Sequence, residues 1–431
     1  MADSERVAIL CGGGPAPGIN SVIGAATIRA IVAGVEVVGI RDGFKWLMRG
    51  DADHAVPLTI DDVSRIHFTG GSALGISRAN PTRDPRDLDT TGATLERLGI
   101  DKLITIGGDD TAFSALKLAE RAAGRGNPPL RVVHVPKTID NDLDLPHGIS
   151  TFGYQTARHL GVEMVKNLMT DAKTTARWYL VVTMGRKAGH LALGIGKAAG
   201  ATLTIIPEEF EPGPVRLDHI ADILVGAIVK RASEGRPDGT AVLAEGLIER
   251  LAADDLAQLG ELGRDEHGHP RLGEVALGGL VRDRVRERLA ELGLAVTLVA
   301  KDIGYELRCA DPIPFDMEYT RDLGYCATTY LLDGGSNAMV TLVNGHFQPV
   351  PFDHMLDPQT GRTRIRLVEV ASEHYRIARR YMVRLRSDDF EDAEALARLA
   401  ATAHLSPDAF RARFSYLVAN EVLQIEAPAP A

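Results

Sequence analysis

Residues 101–142 contain the pattern that most restricts how this chain can fold. An apolar run, Leu103–Ile106, ends in a Gly-Gly pair and is followed by a helical pattern that stops near Gly124. A second apolar run then leads into the sequence PKTIDND. A strand, a tight turn, a helix and a strand in this order form a βαβ unit, whose two strands lie parallel. We therefore predict an α/β fold.

The glycine turn after the first of these strands carries two acidic residues, Asp109 and Asp110. Glycines let a ligand approach the backbone, and the start of the following helix offers N–H groups to an anion. Because two carboxylates would repel a bare phosphate, we predict a Mg²⁺ ion at Asp109, since carboxylate and phosphate oxygens are ligands that Mg²⁺ prefers. The next strand delivers a cation, a hydroxyl group and two carboxylates to the same sheet edge, a combination typical of phosphoryl transfer. These residues are Lys137, Thr138, Asp140 and Asp142.

A second strand, glycine loop and helix occupy the N-terminal region. Arg6–Cys11 is predicted to be a strand, the glycine-rich segment 12–18 a loop, and Asn20–Ala33 a helix. Loops of this kind also hold phosphate groups. The segment is not a Walker loop, because no Gly-Lys-Ser/Thr follows. Taken alone, a simple strand-to-helix turn and a phosphate-binding loop are equally good interpretations of this segment.

Two predicted strands in the second half of the chain end in polar residues. Arg177–Met184 is followed by Gly185 and Arg186, and the strand over residues 240–244 is followed by Glu245. Open α/β sheets bind ligands at the carboxyl ends of their strands, which places Arg186 at the rim of such a crevice. Glu245 can accept hydrogen bonds from sugar hydroxyls, although a solvated glutamate is the more ordinary interpretation.

Composition and charge limit the classes of partner. With 431 residues the chain is long enough for two or three domains. Its net charge of −10 argues against a nucleic-acid-binding protein. The N-terminus shows no signal peptide, and no apolar run is long enough for a membrane span. Three scattered cysteines form neither a disulfide framework nor a zinc site, and we expect a cytoplasmic location.

The sequences GGDDT (107–111) and PKTIDND (136–142), in this order, resemble the phosphofructokinase family and in particular its pyrophosphate-dependent members. The resemblance covers about residues 5–350. It implies two Rossmann-like three-layer α/β/α domains with a cleft between them. A C-terminal, mostly helical extension is expected to follow, packing back on the core or at an interface.

The resemblance also implies what each segment does. Residues 1–150 are expected to bind the phosphoryl donor and Mg²⁺, and residues 151–355 the sugar phosphate. Residues 356–431 contain no motif with a functional assignment. The implied partners are fructose 6-phosphate and pyrophosphate, with no nucleic acid and no membrane.

The implied reaction is a reversible, Mg²⁺-dependent transfer of a phosphoryl group from pyrophosphate to the 1-hydroxyl of fructose 6-phosphate, which gives fructose 1,6-bisphosphate and phosphate. By match to the family motif, Asp140 is the general base. Thr138 hydrogen-bonds the phosphoryl or sugar oxygens, Asp142 orients the site or assists the metal, and Arg78 and Lys137 supply positive charge. The implied catalytic residues are Asp140, Thr138, Asp142, Arg78, Lys137 and Arg186.

The family motifs imply two binding sets. Lys301 is included as a replacement for a family arginine whose position is occupied here by Val299. Arg177 is expected to reach a neighbouring subunit's site, which implies a homodimer or homotetramer. The donor-binding set is Gly13, Gly14, Gly108, Asp109, Asp110, Thr111 and Lys137, with Asp109 as the metal ligand; the sugar-phosphate set is Thr138, Asp140, Arg177, Met184, Gly185, Arg186, Glu245, Lys301, Tyr305 and Arg308.

The prediction that pyrophosphate is the phosphoryl donor rests mainly on Asp110. ATP-dependent relatives commonly have glycine at this place, which leaves room for the α-phosphate and ribose. A carboxylate fills that space and repels the α-phosphate, whereas pyrophosphate has no third phosphate to repel. Bacterial ATP-dependent relatives bind effectors through arginines whose positions are Gly24 and Ile28 here, so we expect no control of that type.

Several alternatives stay open at this point. The first is an ATP-dependent 6-phosphofructokinase, and the second is a catalytically silent regulatory subunit on the same fold. NAD and lipid kinases share the GGD turn but lack TIDND and Met-Gly-Arg, and a dinucleotide-dependent oxidoreductase would need GxGxxG, which is absent. The sequence does not decide residual ATP use, acceptance of sedoheptulose 7-phosphate, or dimer against tetramer.

Overall fold

A computed structural model of the chain describes residues 5–123, 129–257 and 276–419. They divide into two compact units. After the second unit the chain returns to the first unit at residue 305. The sequence analysis instead predicts that the second domain continues to residue 355. The first unit comprises residues 1–157 and 305–366, and the second comprises residues 158–304 and 367–431.

The strands are mostly short and buried, as expected for sheets covered by helices. In chain order they are β1 (Arg6–Cys11), β2 (Glu36–Ile40), β3 (Ala55–Pro57), β4 (Lys102–Gly107), β5 (Arg131–Pro136), β6 (Trp178–Thr183), β7 (Leu203–Ile205), β8 (Gly239–Ala244), β9 (Leu298–Ile303), β10 (Ala338–Met339), β11 (Leu342–Val343), β12 (His346–Phe347) and β13 (Val350–Pro351).

The helices connect these strands and continue into the C-terminal region. They are α1 (Ile19–Val32), α2 (Ile60–Val63), α3 (Pro85–Arg97), α4 (Asp109–Ala123), α5 (Tyr154–Thr175), α6 (His190–Ala199), α7 (Leu217–Ser233), α8 (Leu247–Arg250), α9 (Ala253–Ala257), α10 (Leu277–Glu291), α11 (Tyr305–Arg308), α12 (Pro314–Leu332), α13 (Glu373–Tyr381), α14 (Asp388–Glu391), α15 (Ala393–Thr402) and α16 (Pro407–Phe414). Short 3₁₀ turns lie at Leu47–Arg49, Pro81–Arg83, Pro207–Glu209, Phe352–Met355 and Ser415–Val418. No helix within the described ranges is long and apolar enough to cross a lipid bilayer.

The first unit is built on a sheet with the strand order β13-β10-β5-β4-β1-β2-β3. The central pairs are parallel, and the two edge strands are antiparallel to their neighbours. Side chains alternate between the two faces of a strand. Val7 and Ile9 of β1 therefore pack against α1 and α12, whereas Ala8 and Leu10 pack against α3 and α4. This is a three-layer α/β/α arrangement, and the predicted α/β class is confirmed.

The second unit has a parallel sheet with the order β7-β8-β6-β9. All six residues of β8 are buried, and so is most of α7. The C-terminal segment packs on this unit. A Cβ atom at Gly226 of α7 would lie 2.7 Å from Leu385, so the glycine gives the segment room to approach the helix.

A buried ion pair also ties the C-terminal segment to the second unit. Arg384 and Glu209 form a bidentate pair with nitrogen–oxygen distances of 2.8 and 3.0 Å, and both side chains are only 5% exposed. The Tyr375 hydroxyl donates to the same carboxylate at 2.8 Å. Breaking a buried pair from one side leaves the other charge without compensation.

We expect Glu209→Gln to lower the free energy of unfolding by about 3–5 kcal/mol, the usual effect of removing one partner of a buried pair. Urea unfolding followed by circular dichroism measures the change. Glu373→Gln is the matched control, because Glu373 is 64% exposed in its pair with Arg376 and should cost less than about 1 kcal/mol. Equal effects of the two variants would contradict the expectation.

Candidate active site

Three neighbouring strands of the first unit end at one sheet edge. In the register of the sheet, Cys11 of β1 lies beside Ile106 of β4, and Gly107 of β4 lies beside Pro136 of β5. The loops that begin at Gly12, Gly108 and Lys137 therefore start next to each other. The chain leaves β1 into α1 on one face of the sheet and leaves β4 into α4 on the other. This is a topological switch point, where open α/β sheets bind their ligands.

Thr111 explains why two of the glycines in these loops cannot be replaced by larger residues. A Cβ atom at Gly12 would lie 2.4 Å from the hydroxyl oxygen of Thr111. A Cβ atom at Gly107 would lie 2.3 Å from the Cβ atom of Thr111. Thr111 is only 5% exposed, and its side chain fills the space that both glycines leave. Thr111 thus joins the two turns by packing, and its predicted contact with the donor stays a prediction.

Two cations lie against the turn formed by Gly13 and Gly14. The buried Lys137 ammonium group donates a hydrogen bond to the Gly14 carbonyl and would lie 3.7 Å from a Cβ atom at Gly13. A Cβ atom at Gly14 would lie 3.3 Å from the Arg308 guanidinium carbon. Burial lowers the pKa of Lys137 to about 8, and the positive charge of Arg308 acts in the same direction. In a chain with a net charge of −10, this turn is suited to bind an anion.

His134, which the sequence reasoning did not single out, supports the Gly107 turn from inside the sheet. Its Nδ1 lies 2.8 Å from the Thr105 hydroxyl, and its Nε2 lies 3.0 Å from the Gly107 carbonyl. Because a carbonyl only accepts, we assign the ring proton to Nε2. Burial lowers the pKa of His134 to about 3, so the ring is neutral. The Lys137 backbone N–H donates to the same carbonyl at 2.7 Å.

The segment that begins at Lys137 is held by the residues that precede α5. The Asp140 backbone N–H donates to the Thr138 hydroxyl at 3.0 Å, and the Thr138 carbonyl accepts from the Thr151 hydroxyl at 2.8 Å. Asn141 has a left-handed backbone with a φ of +58°, and its side-chain oxygen accepts from the Thr151 N–H at 3.0 Å. The segment therefore has a defined path, which a loop that carries catalytic groups requires.

Asp109 and Asp110 form the first turn of α4. The Asp110 N–H donates to the Asp109 carboxylate at 2.9 Å, and Asp110 is the more exposed of the two. Among the residues that the structure describes, no group of three or more His, Cys, Asp or Glu side chains is arranged to hold a metal ion. A metal ion at Asp109 would therefore need most of its ligands from phosphate oxygens and water, which is the usual manner of Mg²⁺ binding.

Arg78, Tyr305 and Arg308 also belong to the first unit. The Gly13 N–H donates to the Ser77 carbonyl at 2.8 Å, which places the exposed Arg78 directly after a residue bound to the glycine loop. The Arg308 guanidinium lies 5.2 Å from the centre of the exposed Tyr305 ring. The predicted domain boundaries place Tyr305 and Arg308 in a sugar-binding segment separate from the donor loops, but both residues pack in the unit that contains those loops.

Three strand ends of the second unit bring together another group of predicted residues. Thr183 of β6 lies beside Ala244 of β8 and Ile303 of β9. The Glu245 carboxylate accepts from the Gly185 N–H at 3.2 Å and so fixes the turn of Met-Gly-Arg. The side chain of Met184 packs against Gly304, where a Cβ atom would lie 2.9 Å from its terminal methyl carbon. Arg186 is exposed, with its Nε 3.5 Å from the Glu249 carboxylate.

Two further predicted residues lie in the same unit. The half-buried Arg177 has its Nε 3.8 Å from the Asp171 carboxylate of its own chain. Lys301 is exposed on the edge strand β9, beside Val181 and two residues before the strand ends. The roles given to Arg177 in a neighbouring subunit and to Lys301 as a replacement for arginine stay predictions.

Comparison with known proteins identifies the family. Residues 6–331 match the family model described as phosphofructokinase. A pyrophosphate–fructose 6-phosphate 1-phosphotransferase of Thermotoga maritima is 52% identical over 416 residues, which is 95% of this chain and 98% of the relative.

Solved structures show the same fold. A pyrophosphate-dependent phosphofructokinase from Nitrosospira multiformis superposes with a TM-score of 0.67 at 17% identity, over 88% of this chain and 90% of that one. Phosphofructokinase from Saccharomyces cerevisiae has a TM-score of 0.64 at 24% identity, over 81% of this chain but only 45% of the longer yeast chain. With the family model matching most of the sequence and one relative identical at half of all positions, the assignment made from GGDDT and PKTIDND is confirmed: the chain belongs to the phosphofructokinase family.

Proposed function

We propose that this enzyme transfers a phosphoryl group reversibly between pyrophosphate and the 1-hydroxyl of fructose 6-phosphate. The observation that carries the proposal is the placement of Lys137 and Arg308 against Gly13 and Gly14, at the sheet edge where the segment that carries Asp140 begins. The name of the Thermotoga maritima relative, at 52% identity over almost the whole chain, supports the same reaction.

In this proposal Asp140 accepts the proton of the 1-hydroxyl as the hydroxyl oxygen forms its bond to phosphorus. The bond between that phosphorus and the bridging oxygen of pyrophosphate breaks, and phosphate leaves. In the reverse direction phosphate attacks, and Asp140 returns the proton to the sugar oxygen. Arg78 and Lys137 neutralise charge on the phosphoryl oxygens during transfer, while Thr138 and Asp142 orient the reacting groups.

Mg²⁺ is the metal we propose at Asp109. The Asp109 carboxylate at the start of α4, with no cluster of three or more His, Cys, Asp or Glu side chains among the described residues, fits an ion that is completed by phosphate oxygens and water. When bound, Mg²⁺ supplies charge neutralisation on the donor phosphates. Gly108 has no side chain, so the proposed donor, pyrophosphate, can approach the backbone beside this turn. Gly13 and Gly14 are proposed to hold the same donor.

The residues at the strand ends of the second unit are proposed to hold the sugar phosphate, together with Tyr305 and Arg308. We further propose that the enzyme is a homodimer or homotetramer in which Arg177 completes a neighbouring site. All three cysteines are free, which supports a cytoplasmic location. The residues proposed for the second unit are Arg177, Met184, Gly185, Arg186, Glu245 and Lys301.

The reverse reaction separates this function from its alternatives. Fructose 1,6-bisphosphate, phosphate and Mg²⁺ should give fructose 6-phosphate and pyrophosphate, and chelation of the metal should stop the reaction. An ATP-dependent kinase would need ADP instead of phosphate, and a silent regulatory subunit would give no product with either. Formation of fructose 6-phosphate only when ADP is present would refute the proposed donor.

A decline in activity at alkaline pH is expected from Lys137. Its pKa of about 8 means that the free enzyme loses this cation as the pH rises through about 8, and kcat/KM for pyrophosphate should fall there. Arginine stays protonated throughout this range. Lys137→Arg should therefore have lower activity but no decline between pH 7 and pH 9, as measured by kcat/KM profiles. The same alkaline decline in both proteins would show that another group titrates.

A further inference from the structure

We propose that Arg366 is the positioning residue of the catalytic segment 137–142. Arg366 is the last residue of the first unit and lies well beyond the region matched by the family model, which ends at residue 331. The proposal rests on the proposed function, because it gives Arg366 a role that acts through Asp140.

The Arg366 guanidinium donates hydrogen bonds both to the catalytic segment and to the chain that follows it, at Ile149. Its Nε donates to the Asn141 carbonyl at 3.1 Å, one terminal nitrogen donates to the Ile149 carbonyl at 2.6 Å, and the other donates to the Asn141 side-chain oxygen. The Arg366 backbone N–H donates to the Asp142 carbonyl at 2.8 Å, and Ile365 pairs with Leu143 in an antiparallel bridge. Side chain and backbone of one residue thus fix both sides of the loop.

These bonds reach Asp140 through its immediate neighbours. Asn141 follows Asp140 and has a left-handed backbone, a conformation that must be held by its surroundings. The same Asn141 oxygen that accepts from Arg366 also accepts from the Thr151 N–H, and the Thr151 hydroxyl donates to the Thr138 carbonyl. Arg366 therefore completes a hydrogen-bond network through the residues on both sides of Asp140.

Arginine suits this place for a physical reason. Its planar fork can donate to three acceptors at fixed angles, which lysine cannot reproduce. Burial lowers the pKa of Arg366, and the negative charge of Asp142 acts in the opposite direction. The residue nevertheless stays charged, since an arginine pKa is far above neutral pH.

The test compares Arg366→Met with two matched controls. Arg364→Met alters an exposed arginine of the same segment, whose guanidinium lies 3.8 Å from the Asp144 carboxylate. Arg131→Met removes a side-chain bond to a backbone carbonyl, that of Leu331 at 3.0 Å, at the opposite end of β5 from the catalytic segment. Steady-state kinetics with fructose 6-phosphate and pyrophosphate, and thermal unfolding, are measured for all three.

For Arg366→Met we expect kcat to fall about 10²-fold, since a displacement of about 1 Å at a reacting group has that effect. Both KM values should change far less than kcat, because most of the substrate-holding groups lie outside segment 137–142. A kcat loss no larger than that of Arg364→Met and Arg131→Met at equal loss of stability would overturn the proposal. If Arg366→Met does not fold, Arg366→Lys is used, with an expected kcat loss of about tenfold.

A double-mutant cycle with Asp140→Asn separates positioning from general stabilisation. Once the base is gone, Arg366→Met should lower the residual kcat by less than about threefold, because the two residues act as one unit. An equal fold-loss in both backgrounds would overturn the positioning role. Full activity of Asp140→Asn alone would instead refute the proposed base, so the two failures are distinguishable.

Discussion

Asp140→Asn is expected to lower kcat by about 10²–10⁴-fold, the range that general-base catalysis contributes. Asparagine has nearly the same shape as aspartate and keeps its backbone bond to the Thr138 hydroxyl, so the loop should not move. It cannot accept the proton of the 1-hydroxyl, which is a poor nucleophile unless that proton is removed. KM values should stay close to those of the unaltered enzyme.

The measurement is steady-state kinetics in both directions, because one residue serves as base forward and acid in reverse. Asp144→Asn is the matched control, a half-buried carboxylate four residues further along that pairs with Arg364 at 3.8 Å. It should keep kcat within about twofold, as expected for the loss of a partly exposed ion pair. A similar loss in Asp144→Asn, or no loss in Asp140→Asn, would contradict the assignment.

Asp110→Gly is expected to raise kcat/KM for ATP by about 10²-fold and to lower it for pyrophosphate. Two unit charges 4 Å apart interact by about 4 kcal/mol at an effective dielectric near 20. Asp110 is exposed, so water and salt reduce this repulsion, and we expect about 10²-fold instead of the full value of about 10³-fold. Glycine removes the charge and also the volume of the side chain.

Asp110→Asn separates these two contributions, because asparagine removes the charge but keeps the volume. If the charge of Asp110 excludes ATP, Asp110→Asn should gain most of the ATP activity. If the volume of the side chain excludes ATP, only Asp110→Gly should gain it. Both variants are assayed with fructose 6-phosphate and each donor at fixed Mg²⁺ concentration. Unchanged discrimination between pyrophosphate and ATP in both variants would show that Asp110 does not choose the donor.

The parts of the fold that the sequence predicted are those determined locally. A strand that ends in glycines and continues as a helix has a recognisable pattern, so the sequence predicts the loops at Gly12 and Gly108 and the helix that follows each of them. The register of parallel strands then brings those loops together with Lys137. The family assignment followed from the residues of these same loops.

What the sequence did not predict depends on contacts between distant segments. Nothing in the local sequence indicates that Tyr305–Arg308 returns to the first unit, or that Thr111 fills the space beside Gly12. Arg366 lies more than 220 residues after Asn141, outside any motif, and becomes significant only through its bonds to that loop. Asn141 itself was part of a recognised motif, but its left-handed backbone was not expected.

The C-terminal region shows the same limitation. The sequence indicates only helices there, so the most it predicts is an extension that packs back on the core or at an interface. In the structure the described part divides between the units: residues 356–366 belong to the first, and residues 367–419 to the second. The pair of Arg384 with Glu209 holds the latter part in place.

The most direct test of the account is the ratio of kcat/KM for pyrophosphate to kcat/KM for ATP, measured on the purified enzyme with saturating fructose 6-phosphate and Mg²⁺. A donor site with a carboxylate at Asp110 and the Lys137 cation beside Gly13 should give a ratio of at least about 10² in favour of pyrophosphate. A ratio near one, or a preference for ATP, would contradict the assignment of a two-phosphate donor to this site.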